Sequence, residues 1–304
     1  LSALEKFRAW LEENMQGRYY LQESMKNHTS FHIGGPADII VMPKDVEELR
    51  QLLAFIGDEN IPLTIVGNGS NILVKDNGIR GVVIKIGNAL KKLECNGNVI
   101  VAGAGVSLAA VAIKAASFNL TGLEFAVGIP GSLGGAVFMN AGAYDGEMKN
   151  VVKSVTVMHI KDGSVKVVKG KNLDFGYRCS ALQAMECIIT EITLKLVPGK
   201  KEAIAEKMAD FTNCRITKQP LDMPNAGSMF KRPPGHYAGT LIQDAGLKGY
   251  KVGGAQVSKK HAGFVVNVGN ATANDVLQLI KDVQDRVYEY SGVYLEPEVR
   301  VLGE

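Results

Sequence analysis

No dense run of lysine or arginine appears in this chain of 304 residues, and 34 basic against 31 acidic side chains leave a formal net charge of only +3. Nucleic acid is therefore a poor partner, and a small anionic molecule fits better. Cysteine is scarce. Cys95, Cys179, Cys187 and Cys214 form no CxxC pair and have no histidine at zinc-ligand spacing, so no metal site is expected. Reduced thiols packing as small apolar groups is the simpler reading, with Cys179 set apart because it sits in a candidate motif. The longest apolar stretch, near Val99–Ile113, is too short and too glycine-rich to span a bilayer. The chain opens on Leu1 rather than Met, so its native start is expected to differ. The opening segment carries Glu5, Lys6, Arg8, Glu12 and Glu13, which excludes a signal-peptide core. Repeats and low-complexity segments are also lacking. A cytoplasmic monomer without membrane insertion is expected.

What is present is globular: 46% of residues are hydrophobic and 21% charged, enough chain for two or three domains. Leu1, Leu4, Phe7, Leu11 and Met15 form a helical stripe. Ile39–Met42 reads as a strand ended by Pro43. Asp45-Val46-Glu47-Glu48 reads as a capping box opening a helix through Ile56. Pro62–Val66 is the next strand. Val82–Ile86 and Val99–Gly103 follow, and Ser107 caps a helix with Leu108, Val111, Ala112 and Ala115 on one face. Strands are expected over 154–160, 164–168 and 188–196. Helical spacing returns over 201–217, through Ile204, Met208 and Phe211, just after a boundary at Pro198-Gly199-Lys200. Ala273–Tyr290 carries the stripe Val276, Leu277, Ile280, Val283 and Val287. The segment 293–302 alternates, with Val293, Leu295, Val299 and Val301 facing one way and Tyr294, Glu296, Glu298 and Arg300 the other.

Two glycine-rich segments stand out, the first at the end of a strand. Gly67-Asn68-Gly69-Ser70-Asn71 is neither a Walker A loop nor a dinucleotide fingerprint, since no Gly-Lys-Ser/Thr follows and Ile72 replaces a third glycine. Its small residues suit an anion cradle or an ordinary tight turn. The second runs Gly128-Ile129-Pro130-Gly131-Ser132-Leu133-Gly134-Gly135, then Met139-Asn140-Ala141-Gly142. It suits close approach to a flat or phosphorylated ligand, or a helix entry packed tightly with Gly and Ala.

Three short motifs carry chemistry: Tyr177-Arg178-Cys179-Ser180, Asn225-Ala226-Gly227-Ser228-Met229-Phe230-Lys231 and Leu295-Glu296-Pro297-Glu298-Val299-Arg300. Arg178 offers a fixed planar cation suited to a carboxylate, though an ion pair would use it equally. Ser228 is a hydroxyl three residues before Lys231, and a turn hydroxyl is the simpler reading. Lys231 could assist Ser228 or bind phosphate. Glu296 and Glu298 share a face, so periodicity cannot choose between them.

These motifs, in this order and with Thr29-Ser30-Phe31-His32-Ile33-Gly34-Gly35 upstream, resemble the UDP-N-acetylenolpyruvoylglucosamine reductase (MurB) family from about Asn27 to the C-terminus. His32 remains a structural histidine in this reading. The resemblance implies an α/β (α+β) fold: a two-subdomain FAD-binding fold of the vanillyl-alcohol-oxidase and p-cresol-methylhydroxylase type, plus a C-terminal α+β substrate-binding domain. The boundaries expected are 1–86, with 293–304 returning to it, then 87–200 and 201–292. Both glycine-rich segments would hold non-covalent FAD, through residues 67–71, Gly128, Pro130, Gly131, Ser132, Gly134, Gly135, Asn140, Ala141 and Gly142. NADPH would donate hydride, and the substrate would be UDP-N-acetylglucosamine enolpyruvate. Arg178 and Glu298 would stabilise the enolate and Ser228 would donate the proton, with Glu296 as the backup carboxylate. Lys231, Tyr177, Lys248, Gln256 and His261 are the expected substrate contacts. The short spacing from Arg178 to Ser228 matches the compact subclass that lacks a Tyr-bearing loop, and Cys179 stands where many relatives carry Asp. The rival readings are an FAD-linked oxidase of the same fold and a non-catalytic nucleotide-binding protein.

Overall fold

The structure, a computed structural model, describes residues 2–304, without the side chain of Asn88. Leu1, the first residue of the opening stripe, lies outside the described residues. The chain divides into two compact units. The first takes the chain up to Tyr20, Ile39–Asn68 and Gly81–Asn213; the second takes Leu21–Asp38, Gly69–Arg80 and Cys214–Glu304.

In the first unit helix α1 (Ala3–Asn14) starts at a full capping box between Ser2 and Glu5 and buries Phe7 and Leu11. Helix α2 (Val46–Asp58) departs from expectation at its start. Asp45 Oδ1 accepts the Glu48 N–H at 2.8 Å, but the reciprocal arm is missing. Glu48 is buried, and its carboxylate takes the Lys44 N–H and the Arg18 guanidinium instead. A buried carboxylate is better satisfied by a cation than by one more backbone amide. Strand Leu63–Val66 runs parallel to Ile79–Lys85, pairing Leu63 with Val82 and Val66 with Lys85.

A second sheet of this unit is antiparallel, in the order Val165–Lys169, Val152–His159, Cys187–Lys195, Val99–Gly103, Leu93–Asn96. Cys187–Lys195 shows period-2 burial, with Ile188, Thr190, Ile192 and Leu194 inward. Helix α3 (Leu108–Ser117) starts where expected, with Ser107 Oγ accepting the Ala110 N–H, and buries Leu108, Val111, Ala112 and Ala115. Helix α4 (Leu133–Phe138) and helix α5 (Lys201–Lys218), the latter as far as Asn213, complete the set. One hydrophobic cluster runs from Phe7 to Leu196, on both sides of the boundary expected at residue 86.

In the second unit an antiparallel sheet has the order Asn225–Ser228, Phe264–Asn267, Ala255–Val257, Lys251–Val252. Helix α6 (Ala238–Asp244) and helix α7 (Ala273–Ser291) share its core. The buried stripe of α7 is Val276, Leu279, Ile280, Val283 and Val287; Leu277, expected inward, is only half-buried, and Leu279 takes its place. The helix is capped by Thr272, and its first N–H groups also meet Asp76, whose carboxylate accepts from Ala273 and Asn274 at 2.8 and 3.0 Å. A carboxylate at the positive end of a helix is favourable.

The alternating strand expected over 293–302 is regular only at Arg300–Leu302, which runs parallel to Ile72–Val74. Pro297 has no N–H to give a ladder. Leu295 and Val299 are buried as expected, whereas Val301 is exposed.

Candidate active site

The glycine-rich segments meet within the first unit. A Cβ on Gly67 would lie 2.6 Å from Ser132 Oγ, and one on Gly134 would lie 2.8 Å from the Ala104 Cβ. The glycine backbone therefore packs directly against the small side chains of Ser132 and Ala104, with no room for a Cβ. Ser132 is buried, and its Oγ caps α4 by accepting the Gly135 N–H at 3.3 Å. Pro130 and Gly135 are exposed, while Gly128, Gly131 and Ala141 are half-buried. Gly142 opens a hairpin whose two-residue turn, Tyr144-Asp145, has φ +51° and +63° at its centre.

Asn140 is fully buried, and its side chain is engaged by the fold: Nδ2 donates to Glu147 and to the Gly176 carbonyl, both at 2.8 Å, and Oδ1 accepts the Lys149 N–H. What it offers a ligand is backbone. It also pins the segment that carries Arg178. Gly176 and Cys179 exchange backbone hydrogen bonds at 3.0 and 3.2 Å, closing a tight loop in which Arg178 has φ +54°. Gln183 donates to the Arg178 carbonyl at 3.2 Å, and Ser180 Oγ donates to the Phe138 carbonyl at 2.7 Å. One guanidinium nitrogen donates to the Gly142 carbonyl at 3.1 Å, and the group lies 4.9 Å from the centre of the exposed Tyr177 ring. A half-buried cation is thus fixed on a strained loop rather than swinging on a mobile one. Cys179, set apart from the thiols expected to pack, is exposed.

The second unit holds the other two motifs side by side. Ser228 ends a strand paired with Phe264 and is exposed. Beyond it the chain lies against the third motif: the Glu298 N–H donates to the Met229 carbonyl at 2.8 Å, Phe230 pairs with Pro297, and the Lys231 N–H donates to the Glu296 carbonyl at 2.8 Å. Lys231 Nζ also forms an ion pair with the Glu296 carboxylate. Periodicity left the two carboxylates equivalent, and their surroundings differ: Glu296 is exposed and paired with Lys231, while Glu298 is half-buried.

Among the expected substrate contacts, Gln256 Nε2 donates to the Gly249 carbonyl at 3.0 Å. His261 Nδ1 accepts the Gly263 N–H at 3.1 Å, and its ring meets Phe264 edge-on at 5.1 Å. Burial, aided by the nearby Lys248 charge and partly offset by a backbone hydrogen bond, holds the imidazole below its ordinary value. Lys248 itself is exposed.

Sequence reasoning overlooked Ser30 and the reach of Asn71. The Ser30 N–H donates to the Gly69 carbonyl at 3.1 Å, and its Oγ donates to the Asn225 carbonyl at 2.7 Å, at the start of the Ser228 strand. Asn71 Nδ2 donates to the Glu298 carbonyl at 3.3 Å. The only signal was their presence in recognisable motifs.

Residues 37–169 match the family of FAD binding domains, and residues 219–302 match the C-terminal domain of UDP-N-acetylenolpyruvoylglucosamine reductase. A reductase of that name from Caldanaerobacter subterraneus subsp. tengcongensis is 50% identical over 289 residues, 95% of each chain. One from Alkaliphilus oremlandii is 48% identical over 304 residues, the full length of both. The crystal structure of the Thermus caldophilus enzyme, 38% identical, superposes with a TM-score of 0.80, covering 94% of this chain and 98% of that one. The chain belongs to the UDP-N-acetylenolpyruvoylglucosamine reductase family.

The expected fold, an FAD-binding part followed by an α+β substrate part, is borne out. The donor set also suits the cofactor of this family. Where Gly67 faces Ser132, a Cβ would fill the approach that the backbone needs. Small residues and backbone amides are what a diphosphate requires.

Proposed function

We propose that this enzyme reduces UDP-N-acetylglucosamine enolpyruvate to UDP-N-acetylmuramate, a step in peptidoglycan precursor synthesis, with NADPH as the reductant. When bound, FAD would supply the hydride chemistry linking NADPH to C3 of the enolpyruvyl group. The observation that carries the reading is the clasp in the second unit, where the segment after Ser228 binds the backbone of Glu298.

Addition at C3 leaves negative charge on C2 and the adjoining carboxylate, and a proton must reach C2. The Ser228 hydroxyl donates that proton. Glu298 polarises the developing enol, and the fixed guanidinium of Arg178 holds the substrate carboxylate. Ser228 is a weak acid, so the charge left on its oxygen needs a cation nearby, and Lys231 lies three residues on, tied to Glu296. Lys231, Tyr177, Lys248, Gln256 and His261 serve as contacts for the sugar nucleotide, His261 as a neutral ring. The two glycine-rich segments would hold the cofactor's phosphates through backbone N–H groups.

The enzyme acts as a cytoplasmic monomer. Among the described residues no helix is long and apolar enough to cross a membrane.

The test is NADPH oxidation by FAD-loaded protein with and without the enolpyruvyl sugar nucleotide. Oxidation that depends on the sugar is the expected result. Oxidation indifferent to it, with rapid reoxidation of the flavin by air, would transfer the chain to the oxidases. A protein unable to take up FAD would be a binding protein only.

A further inference from the structure

We propose that Asn71 is a positioning residue for Glu298, and that the segment Gly69–Asn71 brackets both reacting strands of the second unit. Asn71 makes two bonds to one short stretch. Its carbonyl accepts the Arg300 N–H at 3.0 Å, and its side-chain amide donates to the Glu298 carbonyl at 3.3 Å, one bond on each side of Val299. From Arg300 onward the parallel ladder with Ile72–Val74 takes over.

The need for a side chain follows from the sequence. Pro297 lacks an N–H and interrupts regular pairing just before Glu298. The amide of Asn71 extends the ladder one residue beyond where it starts. On its other side Glu298 donates its N–H to the Met229 carbonyl. Both backbone polar groups of Glu298 are therefore tied, one to the segment after Ser228 and the other to Asn71. Val299 is buried, which fixes the twist of the stretch, and alternation turns Glu298 away from that core.

The same segment reaches the Ser228 strand through a relay. The Gly69 carbonyl accepts the Ser30 N–H, and Ser30 Oγ donates to the carbonyl of Asn225, three residues before Ser228. Only glycine fits at position 69, since at φ +67° a Cβ would lie 2.2 Å from the His28 carbonyl oxygen. A segment recognisable as a phosphate cradle thus sets the separation of the proton donor and the carboxylate. Misplacement of a reacting group by about 1 Å can cost ~10²-fold in rate, so a modest bond can have a large kinetic effect.

This inference rests on the function proposed above, and its test separates the two. Holoenzyme carrying Asn71→Ala is compared with wild type in FAD affinity of the apoprotein, rate of flavin reduction by NADPH, rate of reoxidation by the enolpyruvyl sugar nucleotide, and amide exchange over 298–302. The expected result is reduction of the bound flavin within about twofold, whatever the change in FAD affinity, with reoxidation of the loaded fraction slowed by roughly 10- to 100-fold and faster exchange over 298–302. Asn71→Asp keeps the size and the backbone bond but turns an oxygen towards the Glu298 carbonyl, so it must show the same pattern even if the alanine variant folds poorly. Ser30→Ala should slow reoxidation without faster exchange at 298–302. Unchanged reoxidation in both Asn71 variants, or a loss of FAD affinity with full reoxidation of the loaded fraction, would overturn the proposal and make Asn71 a cofactor ligand only. A wild-type enzyme that the sugar nucleotide does not reoxidise would sink the functional reading instead, while the exchange comparison would still report on the Asn71 bond.

Discussion

The backbone N–H of Glu298 donates to the carbonyl of Met229 at 2.8 Å, so the carboxylate's main chain hangs from the residue next to Ser228. The two groups come from motifs about a quarter of the chain apart and are held by backbone rather than by their own side chains. Substitution of either side chain should therefore leave the clasp intact.

Ser228→Ala is the direct test of the proton donor. Flavin reduction by NADPH should proceed at the wild-type rate, while reoxidation by the sugar nucleotide should fall by ~10²–10⁴-fold, the range of a general acid. Single-turnover absorbance of the flavin reads both halves. Full reoxidation in the variant would remove Ser228 from the chemistry.

Glu298→Gln and Glu296→Gln should part company. The first removes the carboxylate assigned to the developing enol, and turnover should drop by ~10²-fold or more. The second breaks an ion pair in which the Glu296 side chain is 66% exposed. Exposed pairs contribute only about 0–1 kcal/mol, so stability should hardly change. Turnover should stay within about threefold, a factor worth only ~0.6 kcal/mol. Equal losses in steady-state kinetics would mean that the pair with Lys231 does not separate the two carboxylates.

The sequence made periodic elements legible and long-range ones not. Helices α3 and α7 were visible because local spacing and a capping hydroxyl report burial directly. The alternation of 293–302 gives Glu296 and Glu298 the same face, and the pairing of Glu296 with Lys231 comes from 65 residues away. In the same way Asn71 and Glu298 lie 227 residues apart, and Asp76 caps α7 from 197. Such bonds leave no local pattern. The capping box at Asp45 failed for a related reason, since Glu48 met Arg18, which lies 30 residues earlier in the chain. Family resemblance supplied the roles that spacing could not.

Asn140→Ala tests how the Arg178 loop is held. The substitution leaves the Lys149 N–H, the Gly176 carbonyl and Glu147 without their partner at a fully buried site. A buried polar group left unsatisfied costs about 1–3 kcal/mol, so a loss of roughly 2–4 kcal/mol in urea unfolding is expected. Because Gly176 closes the loop around Arg178, kcat/KM should also fall by ~10-fold at temperatures where the variant is still folded. Destabilisation with unchanged kinetics would show that the loop holds itself.

His261 gives a prediction with a definite sign. Burial keeps its folded-state pKa below the ordinary 6.5, and protonation at Nδ1 would also set a hydrogen against the Gly263 N–H. The unfolded chain therefore takes up the proton first as pH falls. Between the ordinary value and the lowered one, the unfolded state binds more protons than the folded state, so stability drops with falling pH in that window and is fully present above it. His261→Asn removes the titration and can still offer a carbonyl oxygen to Gly263. Urea midpoints measured from about pH 7.5 to 5 should fall more steeply for wild type than for the variant, with other titrating groups common to both. Parallel curves would mean that the folded protein protonates His261 as readily as the unfolded chain.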